Sequence, residues 1–427
     1  MLEKMNISEK KVMILGLGGV CLYGVSILIK RNFLNIGLGL IVLASLLLVK
    51  KINLKSLDRI QKGFLILIIL TPIFDLFSQG GLHSSLISIQ KSYRFLPLFL
   101  APIFLKNLKD IKKFMIAINF SVLINCFYVL NVYRKLNWNF NIRYETLPGI
   151  QDTSHCLVSL SYIVLALVFL AYKKKEKFLL VLTSFTYIFA LFIIFISKTR
   201  GAWLALIFSM LVYLIILFNK RILIALSICS LLLGTGIILN KDKVNNNIYY
   251  QRIVSIKNTK AASPRIRLML WEAAFNIWKE YPIFGVGKDN SPKFYLEYFN
   301  KNKEYVEKNL PEKSSQESLM EIAKAGNTHS MYFDNLLNMG LFFFYWLGLM
   351  FYIFIIQLKE IIKLKLKNKY NETFFIMLSS LGMTIAYAIT GSLGSAWGAF
   401  LLRHVFLMNL ILYISIKNLE EGRNRNE

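Results

Sequence analysis

The sequence predicts an all-α polytopic membrane protein, and three observations carry that expectation. Of 427 residues, 56% are hydrophobic and only 18% are charged. A water-soluble chain of this length needs far more polar surface, so lipid is the solvent for most of it. Twelve apolar runs approach the roughly 20 residues a helix needs to cross a bilayer. They lie near 12–29, 33–49, 63–77, 86–105, 114–132, 156–172, 178–196, 201–218, 222–239, 331–356, 374–395 and 398–416. None shows the short in-and-out alternation of a barrel strand, which leaves a helical bundle.

Taken in order, the first run lacks a small-residue cleavage site and is followed at once by a second, so it is expected to stay as an anchor. The fourth is the weakest, because it contains Lys91 and Arg94. Runs five to nine complete an N-terminal membrane bundle over 1–239. Residues 240–330 form a loop domain, and 331–427 supply three closing spans. The cysteines Cys21, Cys126, Cys156 and Cys229 sit in or beside apolar runs without metal spacing and read as small packing residues.

The net charge of +27 would suggest nucleic acid in a soluble chain; here its first meaning is topological, and no nucleic-acid partner is expected. With the N-terminus inside, the short inner segments carry 26 Lys and Arg and the short outer segments 7. The positive-inside rule therefore selects this orientation, with both termini cytoplasmic. Segment 240–330 breaks the pattern, carrying fifteen Lys and Arg on the outer side. Long loops translocate regardless of charge, so the topology stands and the loop becomes an extracytoplasmic helical module.

Within that loop, RIRLMLWEAAFNIWKEY (265–281) has Ile266, Leu270, Ala273, Ile277 and Tyr281 at helical spacing, with Ser263-Pro264 at its start. Pro282, Gly285 and Gly287 then break it. A second, mostly charged and solvent-facing helix is expected over 292–309, and a mobile polar stretch over 310–318. GNTHSMYFDNLLNMG (326–340) opens the tenth span, with Asn327 or Thr328 as its cap.

Three outer-face features draw attention: Arg200 in the turn SKTRGAW, the pair Arg265 and Arg267, and His329. Each lies where an apolar helix meets outer water, so they can converge at the membrane surface. Guanidinium matches phosphate oxygens in a planar fork and keeps its charge. Arg200 precedes a span whose first-turn amides add partial positive charge; the competing reading is that Lys198 and Arg200 snorkel to headgroups. Arg265 and Arg267 are two apart and do not share a helix face, whereas Arg267 shares one with Trp271. His329 is the one histidine in the loop and titrates near neutrality, fitting either proton transfer from a hydroxyl or a capping role. Arg403 and His404 lie inside the last span, where charge should face the bundle interior, and their role is open. No Asp-x-Asp pair, His cluster or Cys pair marks a metal site, and no cofactor motif is present; Gly285 to Gly287 reads as a turn.

Three motifs, in order, resemble the bacterial O-antigen ligase and polymerase superfamily. SKTRGAWLAL (197–206) is similar to its Ser-x-Ser-Arg-Gly-Ala turn. RLMLWEAAFNIWKEYPIFGVG (267–287) looks like its Arg-x-x-x-Trp helix ending in Pro-x-x-Gly-x-Gly. HSMYFDNLLNMG (329–340) matches its His-Asn pattern with glycine at +11. Two positions depart: Ser330 replaces the asparagine after the histidine, and Asn338 replaces an acidic residue. The resemblance implies a C-type membrane glycosyltransferase of the bacterial inner membrane with its active site on the periplasmic side. It implies a glycan donor on undecaprenyl diphosphate and, in the ligase branch, a sugar hydroxyl of lipid A core as acceptor. By motif match, Arg200 and Arg267, with Arg265 and Lys198 as weaker candidates, would bind the diphosphate, and His329 would act as base in a metal-independent, inverting displacement. Membrane lipids are the remaining partner. A polymerase of the same superfamily, which needs two lipid-diphosphate sites, and a lipid-linked sugar transporter, which should show deep charges and broken helices, are the alternatives.

Overall fold

The computed structural model describes residues 7–48, 57–140, 151–218, 262–394 and 396–424. All the secondary structure in them is helical. In chain order the first helices are α1 (Ile7–Ser26), α2 (Arg31–Leu47), α3 (Arg59–Phe77), α4 (Gly81–Lys91) and α5 (Leu96–Leu100). Then come α6 (Leu108–Lys135), α7 (Gln151–Lys173), α8 (Lys177–Ile196) and α9 (Arg200–Leu217). The loop holds α10 (Ala262–Glu280), α11 (Ser291–Lys301), α12 (Lys303–Asn309) and α13 (Lys313–Lys324). A short α14 (Met331–Met339) precedes α15 (Phe342–Leu366), α16 (Glu372–Ser392) and α17 (Phe400–Asn424).

Eight of these are long and apolar enough to cross a membrane: α3, α6, α7, α8, α9, α15, α16 and α17. The protein is a polytopic helical membrane protein. The apolar α2 is shorter, and α1 carries Glu9, Lys10 and Lys11 near its start. The ninth expected span, 222–239, and the adjoining 240–261 lie outside the described residues.

Two expected spans differ. The fourth run is no continuous span: α4 ends at Lys91, and Ser92–Phe95, α5 and Ala101–Ile103 follow as short 3-10 and α pieces. Pro97 and Pro102 remove amide donors and hinder regular winding there. The tenth span begins at Phe342 instead of 331, because Gly340 (φ +56°) stops α14. Ser330, with extended backbone, takes the N-cap position that was expected at Asn327 or Thr328.

Helices α7, α16 and α17 are the most enclosed of the spans, and α16 packs on α7, α9, α15 and α17. In lipid a buried polar group needs a protein partner, and here the partners are each other. Gln357 Nε2 donates to Ser380 Oγ (3.0 Å), Thr384 Oγ1 to Gln357 Oε1 (2.8 Å), and Asn409 Nδ2 to Thr384 Oγ1 (2.8 Å). The network pins α15, α16 and α17 in one register.

Ion pairs mark one end of the bundle. Lys417 meets Asp58 at 2.6 Å, Lys174 meets Glu372 at 2.7 Å, and Lys112 pairs with Glu176. The loop module sits at the other end on its own small core. Ile266, Leu270, Ala273 and Ile277 of α10 are buried there, as the spacing predicted, with Phe294, Tyr295, Phe299, Leu319 and Leu337. The segment 292–309 is thus two helices divided at Asn302, and α11 buries an aromatic face instead of facing solvent throughout. Residues 313–324, within and beyond the stretch expected to be mobile, are helical because Leu319 and Ala323, one turn apart, reach this core.

Candidate active site

The loop that carries His329 is fixed from three sides. Asp334 Oδ1 accepts from the Thr328 amide (2.9 Å) and the Thr328 hydroxyl (2.6 Å). The Asn327 carboxamide oxygen accepts from the His329 amide (2.7 Å), which accommodates a left-handed backbone at His329 (φ +54°). From α10, the Trp271 indole donates to the Thr328 carbonyl (2.9 Å) while its ring stacks on Phe333 (5.4 Å, 11° between planes). Trp271 therefore does more than pack. It ties the arginine-bearing helix to the residue before His329.

A second tie follows. Val286 donates to the Leu337 carbonyl (2.9 Å), Gly287 to Asn338 (3.2 Å) and Leu341 to Ile283 (2.9 Å). The backbones approach so closely that a Cβ on Gly285 would lie 2.5 Å from the Leu337 carbonyl oxygen, and one on Gly340 2.4 Å from that of Ile283. Both glycines have positive φ, +69° and +56°. This latch presents the next two residues, Lys288 and Asp289, to the bundle.

Between the loop module and the bundle end lies a cavity of about 750 Å³. Arg267 and His329 both line it, as do Lys91, Arg94, Lys288 and Arg403. Burial, and then the Arg267 charge, bring the His329 imidazole down to about 4, so at neutral pH it is an uncharged proton acceptor. Burial first, and Arg403 second, lower the Lys288 ammonium to about 8 against the pull of Asp289 and Asp75. Burial alone would raise the Asp289 carboxyl, but the hydrogen bond from Lys91 and the charges of Lys288 and Lys91 outweigh it, and the group is held below the usual carboxylate range. Asn335 and Asn338, one turn apart on α14, also line the cavity, and Asn335 Nδ2 and Asn338 Oδ1 are buried with no hydrogen-bond partner among the described residues.

The other candidates stand elsewhere. Thr199 lines the cavity; Arg200, the first residue of α9, is half-buried beside it, and Gly201 packs on the lining residues His155 and Leu393. Lys198 is 1% exposed with its ammonium on the Phe140 carbonyl, away from the cavity lining. Arg265 lies near Tyr305, whose phenol its charge pulls down against the larger effects of burial and Glu272. Arg403 donates to the carbonyls of Trp397 (2.8 Å) and Gly398 (3.2 Å), whereas His404 is buried against Tyr23, ring nitrogen to hydroxyl at 2.7 Å, outside the lining. Among the described residues no group of three or more His, Cys, Asp or Glu could hold a metal ion.

Residues 185–353 match the family model described as O-antigen ligase. The match spans less than half of the chain, and the likeness is that of this segment. No curated protein matches it. The matched segment includes Arg200, Arg267, Lys288, His329 and Asn335, whereas Lys91, Arg94, His155 and Arg403 are contributed from outside it. Sequence reasoning had noted Lys91, Arg94 and Arg403 only as unusual charges inside spans. Lys288 carried no signal, because its place depends on the glycine latch.

Proposed function

We propose that this protein is an O-antigen ligase-type glycosyltransferase that moves a glycan from undecaprenyl diphosphate to a sugar hydroxyl of lipid A core at the periplasmic face. The observation that carries the reading is the meeting of Arg267 and His329 in a cation-rich cavity at one end of a lipid-embedded bundle. At that depth the polyprenyl tail stays in lipid while its charged head reaches the arginines. The acceptor oxygen attacks the anomeric carbon from the face opposite the diphosphate, and His329 takes the hydroxyl proton. The bond from the anomeric carbon to the phosphate oxygen breaks, and its electron pair leaves on the diphosphate, neutralised by Arg267 with Arg200 beside the cavity. The products are an inverted glycoside and free undecaprenyl diphosphate. The leaving group is already good, so alignment and charge neutralisation are what the protein must supply.

A polymerase is the second reading, favoured by the extra cations Lys91, Arg94, Lys288 and Arg403. The test is reconstitution of the full chain with lipid-linked glycan, with and without lipid A core. Glycan on core is the expected result, and longer glycans on the carrier select the polymerase. Transfer to neither acceptor refutes both.

A further inference from the structure

The cations of the cavity fall into two groups. On one side stand Arg267 and His329, from α10 and the loop before α14. On the other stand Lys91 at the end of α4, Arg94 just after it, Lys288 from the latch and Arg403 in the first turn of α17. A side recess off the cavity separates them: Lys91, Lys288 and Arg403 line it, whereas Arg267 and His329 do not. Arg267 depresses His329, while Arg403 and Lys91 depress Lys288 against the pull of Asp289 and Asp75.

The second group is built to hold an anion. Its four cations face two carboxylates, Asp289, which pairs with Lys91, and Asp75, which the Ser88 hydroxyl satisfies. Two positive charges are left over in a half-buried place, an arrangement that costs free energy until a counter-charge arrives. Among the described residues Arg94 Nε is buried with no hydrogen-bond partner, and Asn335, 5% exposed, lines the same space with an amide nitrogen that has none. From here the side recess of about 70 Å³ leads on between Asp75, Lys288, Asn335 and Arg403.

We propose that Lys91, Arg94, Lys288 and Arg403 form a second anion station, which binds a phosphate group carried by the acceptor glycolipid while Arg267 holds the donor diphosphate. The proposal rests on the transfer reading above and refines it. Asn335 and Asn338 of α14 line both the cavity and the recess, within reach of a polar group bound there. The phosphate has two possible sources of the same chemistry: a phosphorylated lipid A core, or the diphosphate of a second carrier lipid.

The test is binding of farnesyl diphosphate to the full chain in nanodiscs, measured by calorimetry, which needs no turnover and stands even if the transfer reading fails. Two equivalents are expected. Lys288→Met combined with Arg94→Gln should remove one and leave the other, which also shows that the variant is folded; Arg267→Gln should remove the complementary one. One equivalent in the unsubstituted protein, or loss of all binding in both variants, overturns the proposal. Displacement of the second equivalent by phosphorylated core glycolipid identifies the first source, and displacement by a carrier-diphosphate glycan the second. Equal displacement by dephosphorylated core overturns it. In the transfer assay, Lys288→Met should raise the acceptor KM about 10- to 100-fold, the worth of one charged hydrogen bond, with the donor KM unchanged. Equal rises in both KM values would make the cavity a single diphosphate site.

Discussion

His329 is an unusual base at rest. With its imidazole at about 4, it is neutral across the physiological range and becomes protonated only as pH falls through that value. Because kcat/KM reports the free enzyme, its acid limb should fall near 4 instead of near the ordinary histidine value of about 6.5. A bound diphosphate offsets the Arg267 charge and makes the imidazole more basic, so the limb in kcat should lie higher than the limb in kcat/KM. A pH profile of the reconstituted protein reads both, and coincident limbs near 6.5 would remove His329 from the role. His329→Ala should lower kcat by roughly 10²- to 10⁴-fold with donor binding retained. This residue was legible in the sequence, because the spacing from the histidine to Gly340 is a local pattern. Lys198 was not: its charge suggests a ligand, and only the fold reveals the Phe140 carbonyl that takes it.

At the scale of elements, α10 and α14 are held to each other by contacts that two substitutions can separate. Trp271→Phe keeps the stack on Phe333 but removes the indole donor from the Thr328 carbonyl. An unsatisfied buried acceptor costs about 1–3 kcal/mol. The expected outcome is a lower kcat with donor KM nearly unchanged, since the His329 loop loosens while Arg267 stays on its helix. A rise in donor KM alone would contradict that. Gly285→Ala attacks the latch instead. The added methyl meets the Leu337 carbonyl oxygen in a backbone conformation that disfavours side chains, and strain of this kind costs about 1–3 kcal/mol. A lowered Tm is expected, together with loss of the Lys288-dependent binding, because the latch carries that lysine to the cavity. The α10 helix could be read from its apolar spacing. Helix α13 could not, since its buried contacts are few and set in a polar stretch, and the break at Gly340 depends on where the Ile283 carbonyl lies.

At the scale of the whole molecule, the sequence pattern and the fold divide the chain in the same way, although they do so for different reasons. The described parts of the short inner segments, which are rich in Lys and Arg, include the end marked by the Asp58–Lys417, Lys174–Glu372 and Lys112–Glu176 pairs, and the cavity opens at the other. Loop charge carries a signal for orientation, whereas the cavity exists only once α4, α10, α14 and α17 are brought together across the whole chain. The sequence could therefore announce a membrane bundle without showing which in-span charges share a pocket. The positive-inside assignment predicts that the cavity end is periplasmic. The check is thiol labelling in intact cells made permeable only at the outer membrane. Cys126 and Cys156 are buried and inert, and Cys21→Ser with Cys229→Ser gives a quiet background. On that background Glu307→Cys, exposed on α12, should react with a membrane-impermeant maleimide, and Lys367→Cys, exposed after α15, should react only after lysis. The reverse pattern would put His329 in the cytoplasm, where a glycan already delivered to the outer leaflet is out of reach, and the transfer reading would fall with the topology.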